Sequence, residues 1–597
     1  MREFSVPATA PVADDENLTD MVWANAERFG STVSFRRRVE GAWVDVTAAE
    51  FAAEALATAK GLIAAGLSPG DRVGLMSRTR YEWSLLDFAI WTAGCVTVPV
   101  YETSSADQAQ WILGDSGARA LIVENDAQRS EVDTVRDQLQ DLSNVWQIDG
   151  APGAVEALTE LGRDVEDGTA HERRRAVGAD DTATLIYTSG TTGRPKGCEL
   201  THRNLLAEIR GDVDAFPQLM QPGNSMLMFL PMAHVLARAI AVCCVYCRIT
   251  LGHTGDVKDL VTDLGSFQPT FVLAVPRVFE KVYNTAKQKA HSEGRGKIFQ
   301  AAEDTAVAYS KAKDGEGVGL GLRLKHFAFD KLVYRKLRAA LGGRCIAAVS
   351  GGAPLGERLA HFYRGVGVPV LEGYGLTETT AAAAVNVEQA YKIGTVGRPI
   401  AGTSIRIAED GEVLVKGDVV FQRYWNNQAA TDDSLEDGWF HTGDLGSLDE
   451  DGFLRITGRK KEIIVTAGGK NVAPAALEDH LRAHPLISQC LVVGDQRPFI
   501  GALVTIDPEF LPSWLRDHGR AQDTPLSDLV NDPELRADVQ TAVDEANENV
   551  SKAEQIKQFR IMTEDFTEAT GELTPSMKLK RNKVAENRQD EIAAIYG

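Results

Sequence analysis

The chain has 597 residues, beyond the roughly 250 to 300 at which one hydrophobic core stops growing, so at least two domains are expected. Hydrophobic residues make up 44% and charged residues 25%, which excludes a wholly disordered polymer and leaves enough apolar side chain for globular cores. With 63 Lys and Arg against 84 Asp and Glu, the net charge of −21 excludes general nucleic-acid binding and obliges any anionic ligand to meet a local positive site.

Residues 1–20 are acidic and interrupted by prolines, without the basic-then-apolar order of a secretory signal, and cytoplasmic residence is expected. Residues 48–65 carry a helical pattern. Short apolar runs at 72–76, 95–100, 120–123, 184–188, 226–230, 271–275 and 345–349 read as strands, and their alternation with helices predicts a layered α/β domain with parallel strands. In such sheets ligands bind beyond the carboxyl ends of strands, where glycine-rich turns let backbone approach them closely. The turns after Thr188, Val349 and Leu371 fit that description.

The longest apolar stretch, 239–247, stops at Arg248, far short of the roughly 20 residues that cross a bilayer, and reads as a buried helix. It contains Cys244 and Cys247, the one CxxC among seven cysteines, and no second pair follows. Buried thiols in a reducing compartment are expected rather than a metal or disulfide site. Residues 280–344 look helical and hold 14 Lys and Arg against 7 Asp and Glu; the glycine-rich 315–321 divides this segment in two. After Gly458 the pattern shifts to short strands at 462–466, 489–493 and 502–506 among helices, which predicts a small α+β domain over 459–597 beside a large domain over 1–458.

The strongest chemical signal follows the strand at 184–188. Thr188, Ser189, Gly190, Thr191, Thr192 and Gly193, then Arg194, Pro195 and Lys196, combine backbone freedom, hydroxyl donors and a cation, the means to wrap a polyphosphate. It is not a Walker A loop, because Lys196 is followed by Gly197 rather than Ser or Thr. This loop resembles the phosphate-binding signature of the adenylate-forming enzymes, the superfamily of acyl-CoA synthetases, luciferases and peptide-synthetase adenylation domains. Tyr374-Gly375-Leu376-Thr377-Glu378, Thr442-Gly443-Asp444, Gly458-Arg459-Lys460-Lys461-Glu462 and Thr574-Pro575-Ser576-Met577-Lys578 match further motifs of that superfamily in order.

The resemblance implies ATP, Mg2+ and coenzyme A as cofactors and co-substrates, and a site built as follows. The glycine-rich loop with Lys196 holds the β- and γ-phosphates, Thr377 contacts the α-phosphate, and Glu378 binds the metal. Gly351, Gly352, Ala353 and Pro354 lie along the adenine, and Glu372, Gly373, Tyr374 and Gly375 form the opposite wall with the tyrosine ring stacked on the base. Asp444 accepts from the ribose hydroxyls beside Arg459. His234 lines the acyl pocket near the carboxylate, Lys578 is the catalytic lysine although Met577 stands where the family has Gly, and Lys461 is the hinge. Gly468 and Gly469 belong to the loop that forms part of the pantetheine tunnel in CoA ligases. These needs are chemical: a carboxylate and a phosphate repel each other, and cations with oriented donors must offset that repulsion.

Closest of all is the likeness to bacterial long-chain fatty-acid:CoA ligases of actinobacterial type. Val275 to Phe279 resembles the segment with their gating aromatic, with Phe279 in place of Trp, and the long basic insert also looks like that branch. The alanine-rich run after Glu378 is a good helix former and leaves room for an alkyl chain. A fatty acid is thus the expected substrate. An acyl-AMP ligase loading a carrier protein, or a CoA ligase for another acid, are the alternatives. A silent scaffold is disfavoured by the presence of Glu378, Lys578 and the phosphate loop, and a luciferase-type oxygenase shares the motifs but is set apart by a light assay. The basic insert is expected to touch anionic membrane at its inner face, and the oligomeric state is open between monomer and homodimer.

Overall fold

The computed structural model describes residues 1–188, 194–256, 259–315, 317–548, 550–574 and 578–597. Two large sheets carry the expected parallel strands. In one, Arg72–Met76 lies between Val96–Val100 and Ala120–Val123, all parallel, with Thr182–Thr188 next to Val96–Val100. In the other, Ser225–Met228, Phe271–Ala274, Ala347–Ser350 and Val370–Tyr374 run parallel in that order. Beyond these parallel strands the sheets continue antiparallel, Lys196–Thr201 turning back on Thr182–Thr188 and Ala384–Val385 on Val370–Tyr374. A third sheet is antiparallel throughout and includes Trp439–Leu448 and Leu454–Arg459.

Apolar burial divides along the chain. The main core and two satellite clusters draw on residues up to Ile456, while two further clusters draw only on residues from Ile464 onward, built around the strands Ile487–Val493, Ile500–Ile506 and Ile556–Ile561. Ion pairs bridge these parts. Arg277 donates to Asp507 at 2.9 Å and Lys281 to Glu509 at 2.8 Å, and the Thr103 hydroxyl donates to Glu568 at 2.6 Å.

The helix Val235–Cys247 is buried nearly throughout, as the apolar run predicts, and all seven cysteines are free and buried. No helix among the described residues is long and apolar enough to cross a membrane. Arg238, on this helix, is fully buried yet satisfied: it forms a fork on Asp87 at 2.8 and 2.5 Å and its guanidinium lies between the Trp83 and Trp91 rings. Removing one member of such a buried pair costs about 3 to 5 kcal/mol, so this contact pins the helix to Tyr81–Thr92 and holds the start of the helix, where His234 sits.

Two local readings are overturned. The alanine run after Glu378 is not helical: Thr380 and Ala381 have φ of 58° and 113°, and the chain passes directly over Gly375, where a Cβ would lie 1.5 Å from the Ala381 carbonyl oxygen. Tertiary crossing overrides helix propensity there, and only glycine fits at 375. The basic insert breaks at Glu293–Arg295 as well as at the glycine-rich stretch, giving Pro276–Ser292, Gly296–Lys313 and Leu320–Phe329, then a wide helical turn, Asp330–Tyr334, and Arg335–Ala340.

Candidate active site

The site lies at the carboxyl ends of both parallel sheets. Ser189, Gly190, Thr191, Thr192 and Gly193 lie outside the described residues. The two ends of their loop are fixed by the hairpin register that sets Thr188 opposite Lys196. Trp111 braces this hairpin, donating from its indole to the Pro195 carbonyl at 2.8 Å and carrying the Arg194 guanidinium 4.6 Å from its ring centre. The Lys196 ammonium rests 4.4 Å from the centre of the Tyr424 ring, within reach of a cation–π attraction.

Tyr424 also donates to Glu378 Oε1 at 2.8 Å, and the Phe421 N–H donates to the Glu378 carbonyl at 2.8 Å. Glu378 and Thr377 begin a single tight turn, Thr377–Thr379, and both are partly exposed towards the cleft. This partly exposed carboxylate, with one oxygen held by Tyr424, suits a hard cation that takes its remaining ligands from phosphate and water.

The two expected adenine walls are neighbours in one sheet. Ser350 pairs in register with Glu372, and Glu372 reaches across to accept from the Leu355 N–H at 2.8 Å, locking the turn through Gly351, Gly352, Ala353 and Pro354 to the strand that leads into Gly373, Tyr374 and Gly375. Gly352 has φ of +84°, which only glycine adopts without strain, and the turn at 352–354 is exposed. The Tyr374 phenol is committed to Asp444, donating to Oδ2 at 2.7 Å, while Arg459 donates from Nε to Oδ1 at 2.8 Å. Asp444 and Arg459 face each other across antiparallel strands, so the sheet register alone makes this pair. Each carboxylate oxygen keeps a second lone pair for a further donor.

Lys578 comes into this cleft from the C-terminal part. Its backbone is held in a small loop, its N–H donating to Thr574 Oγ1 at 3.0 Å and its carbonyl accepting from the Thr574 N–H at 2.8 Å. The ammonium lies 4.0 Å from where a Cβ on Gly352 would stand. Its surface is reachable from the cleft, but protein surrounds the ammonium, and this desolvation, with Arg459 nearby, lowers its pKa; Asp444 and Glu378 oppose the fall. His234 precedes the helix Val235–Cys247 and its Nδ1 accepts from the Leu236 N–H at 3.3 Å. Burial, and then the charge of Lys578, pull His234 down to about 3, so it is neutral here.

The structure thus gathers Lys196, Glu378, Asp444, Arg459, His234, Gly352 and Lys578 around one cleft. Gly468 and Gly469 stand apart, exposed at the turn joining Ile464–Val465 to Asn471–Val472, where Gly469 donates to the Thr466 carbonyl at 2.8 Å. Lys461 is exposed in the turn Lys460–Glu462 while Lys460 pairs with Asp410 and Glu412. Phe279 is fully buried and packs edge-on against Tyr363 at 5.5 Å. Sequence reasoning missed Tyr424, whose RYW setting reads as core packing and whose partners lie 46 and 228 positions away in the chain.

A family model described as AMP-binding enzyme matches residues 22–425, and one described as AMP-binding enzyme C-terminal domain matches 461–597. The chain belongs to the AMP-binding enzyme family. Among its relatives, "Long-chain-fatty-acid--CoA ligase FadD15" of Mycobacterium bovis is 55% identical over the full length of both chains. "Long-chain-fatty-acid--CoA ligase ACSBG2" of Xenopus laevis is 30% identical, covering all of this chain and 85% of its own length. The family's fold is also seen in an anthranilate CoA ligase solved with anthranoyl-AMP, at TM-score 0.75 and 18% identity, covering 98% of this chain and 99% of that one. A Mycobacterium tuberculosis fatty acyl CoA synthetase aligns at TM-score 0.63 and 22% identity, covering 97% of this chain and all of that one.

Proposed function

We propose that this chain is a long-chain fatty acid:CoA ligase, joining a fatty acid to AMP with release of pyrophosphate and then passing the acyl group to coenzyme A. The observation that carries the reading is the position of Lys578, delivered by the C-terminal part into the cleft between the Gly352 turn, Glu378 and Asp444. Full-length likeness to long-chain ligases supports the substrate class.

In the first step a carboxylate oxygen of the fatty acid attacks the α-phosphorus of ATP, the bond to the bridging oxygen breaks, and pyrophosphate leaves with that electron pair. The acid is already ionised at neutral pH, so no base is required, in keeping with a neutral, positional His234. Lys578 places a cation between the two anions, and Lys196 with the hydroxyl-rich loop holds the leaving phosphates. Thr377 contacts the α-phosphate, and Tyr374 and Arg459 orient Asp444 for the ribose hydroxyls. Glu378 would hold Mg2+, which offsets phosphate charge when bound; a carboxylate steadied by one phenol suits that cation. In the second step the thiol sulfur attacks the acyl carbonyl carbon, AMP leaves, and the thiol proton passes to solvent.

Lys578 occupies the space beside Gly352 that a thiol needs, so the second step requires it to withdraw. The domain boundary at 458/459 and a hinge at Lys461 provide that movement, and Gly468 and Gly469 then line the pantetheine path. The basic segment 280–344 makes peripheral contact with anionic membrane, a source of acyl chains. Pyrophosphate release and thioester formation, measured over acids from acetate to about C20, test the reading. Turnover of acetate or an aromatic acid alone would refute the long-chain assignment, and adenylate without thioester would make the chain an acyl-AMP ligase.

A further inference from the structure

The helix Leu320–Phe329 has no buried residue. Three of its large apolar side chains do not face the protein: Leu320, Leu324 and Phe327 are 78%, 72% and 59% exposed, and Leu332 just beyond is 60% exposed. At 3.6 residues per turn the first three fall within about 60° of arc. The opposite side is the one that packs. His326 donates to the Gly365 carbonyl at 2.6 Å and stacks on Tyr309 at 3.9 Å, and Phe329 lies against Tyr334. A helix resting on a globular core normally turns its apolar stripe inward; this one turns it outward.

The surroundings of the stripe are cationic. Residues 317–344 hold seven Lys and Arg against one acid, Asp330, in a chain whose net charge is −21. Arg335 and Arg338 are taken up by Asp330, whereas Arg323, Lys325, Lys331 and Lys336 have no ion-pair partner among the described residues. Lys331 lies over the exposed Phe327 ring at 4.8 Å, so cation and aromatic share the outer side.

We infer that Leu320–Phe329 is a docking helix that lies flat on an anionic lipid bilayer, its Leu320, Leu324 and Phe327 stripe entering the headgroup boundary while the flanking cations meet lipid phosphates. This rests on the proposed membrane role of the basic segment and assigns it to one helix and one face. Charge decides among occupants: an apolar stripe framed by cations that have no ion-pair partner among the described residues matches an anionic interface, whereas a second copy of the chain would oppose like charge to like. Apolar insertion adds a salt-resistant share of the affinity to a salt-sensitive one.

The test is sedimentation of the full chain with phosphatidylcholine vesicles, with and without an equal part of phosphatidylglycerol. Wild type is expected to pellet with the anionic vesicles. The double variant Leu324→Glu with Phe327→Glu is expected to partition at least about tenfold more weakly, with melting temperature and adenylation of detergent-dispersed fatty acid unchanged. Lys331→Glu with Lys336→Glu is expected to lose the salt-sensitive share. Absence of wild-type binding, or equal binding by the Leu324/Phe327 variant, overturns the docking helix, as does a dimer of the free protein that this variant dissociates. Failure of detergent-dispersed long-chain acid to react in wild type would instead sink the ligase reading and leave vesicle binding as a separate result.

Discussion

Tyr424 donates its phenolic hydrogen to Glu378 Oε1 at 2.8 Å while its ring supports the Lys196 ammonium at 4.4 Å. One side chain thereby sets the position of the carboxylate proposed to hold the metal and of the lysine proposed to hold the leaving phosphates. Tyr424→Phe keeps the ring and removes one hydrogen bond to a charged group, worth about 1.5 to 3 kcal/mol. The magnesium concentration for half-maximal adenylation is expected to rise at least about threefold, with the KM for ATP moving less. An unchanged magnesium titration would mean that Tyr424 only fills space beside Phe421.

Lys578 and Lys461 are proposed to divide the two half-reactions between them. Lys578→Ala is expected to remove at least about 3 kcal/mol of transition-state stabilisation from adenylation, on the order of a hundredfold or more in rate, while thioester formation from supplied acyl-adenylate survives. Lys461→Pro should spare adenylation and block thiolysis, because a fixed φ hinders rotation at the boundary. Equal slowing of both half-reactions by Lys578→Ala would end the alternating-domain account. Burial lowers the pKa of Lys578, so adenylation is expected to fail on the alkaline side from below the ordinary lysine value of about 10.4, and Lys578→Arg to move that limb upward.

Docking of the C-terminal part is expected to have a pH dependence of its own. Burial pushes Glu372 up to about 7, with the Leu355 N–H opposing and Asp479 and Glu357 adding to the rise. Burial also pushes Asp479 up to about 7, with Arg482 opposing and Glu478 and Glu280 adding. A docked pKa above the ordinary carboxylate value of about 4 means that the docked state binds more protons, so docking is strongest below about pH 4, weakens as pH rises from about 4 to about 7 and levels off above that. Asp479→Asn removes one of the facing charges and is expected to raise single-turnover adenylation over wild type at about pH 8, with the difference shrinking as pH falls towards about 4. Parallel pH profiles would refute this coupling.

Phe279 is a core residue by its burial and an acyl-tunnel residue by resemblance. Phe279→Ala is expected to lower stability by about 3 to 5 kcal/mol. If the ring also borders the acyl chain, chain-length preference shifts as well, with long acids affected more than short ones in the folded fraction. The same loss for every acid, in step with the lowered melting temperature, would leave Phe279 with packing alone.

Much of the site was legible in the sequence because its scaffold is local. The glycine-rich turn expected after Val349 follows the strand Ala347–Ser350, the one expected after Leu371 begins later because its strand runs on to Tyr374, and the CxxC sits in a buried helix. Backbone hydrogen bonding and turn geometry act over a few residues, so composition and spacing record them directly. Side-chain pairing does not work that way. That Tyr374 bonds Asp444, that Tyr424 bonds Glu378, and that Lys578 reaches Gly352 depend on segments tens to hundreds of positions apart, brought together by sheet order and domain docking. The alanine run after Glu378 had the propensity of a helix, yet the crossing over Gly375 bent it otherwise. In the helix Leu320–Phe329 the apolar stripe was written in the sequence, but a stripe does not say which side meets the protein. Only the packing of His326 and Phe329 decided that it faces out, because burial is a property of what covers a residue and not of the residue itself.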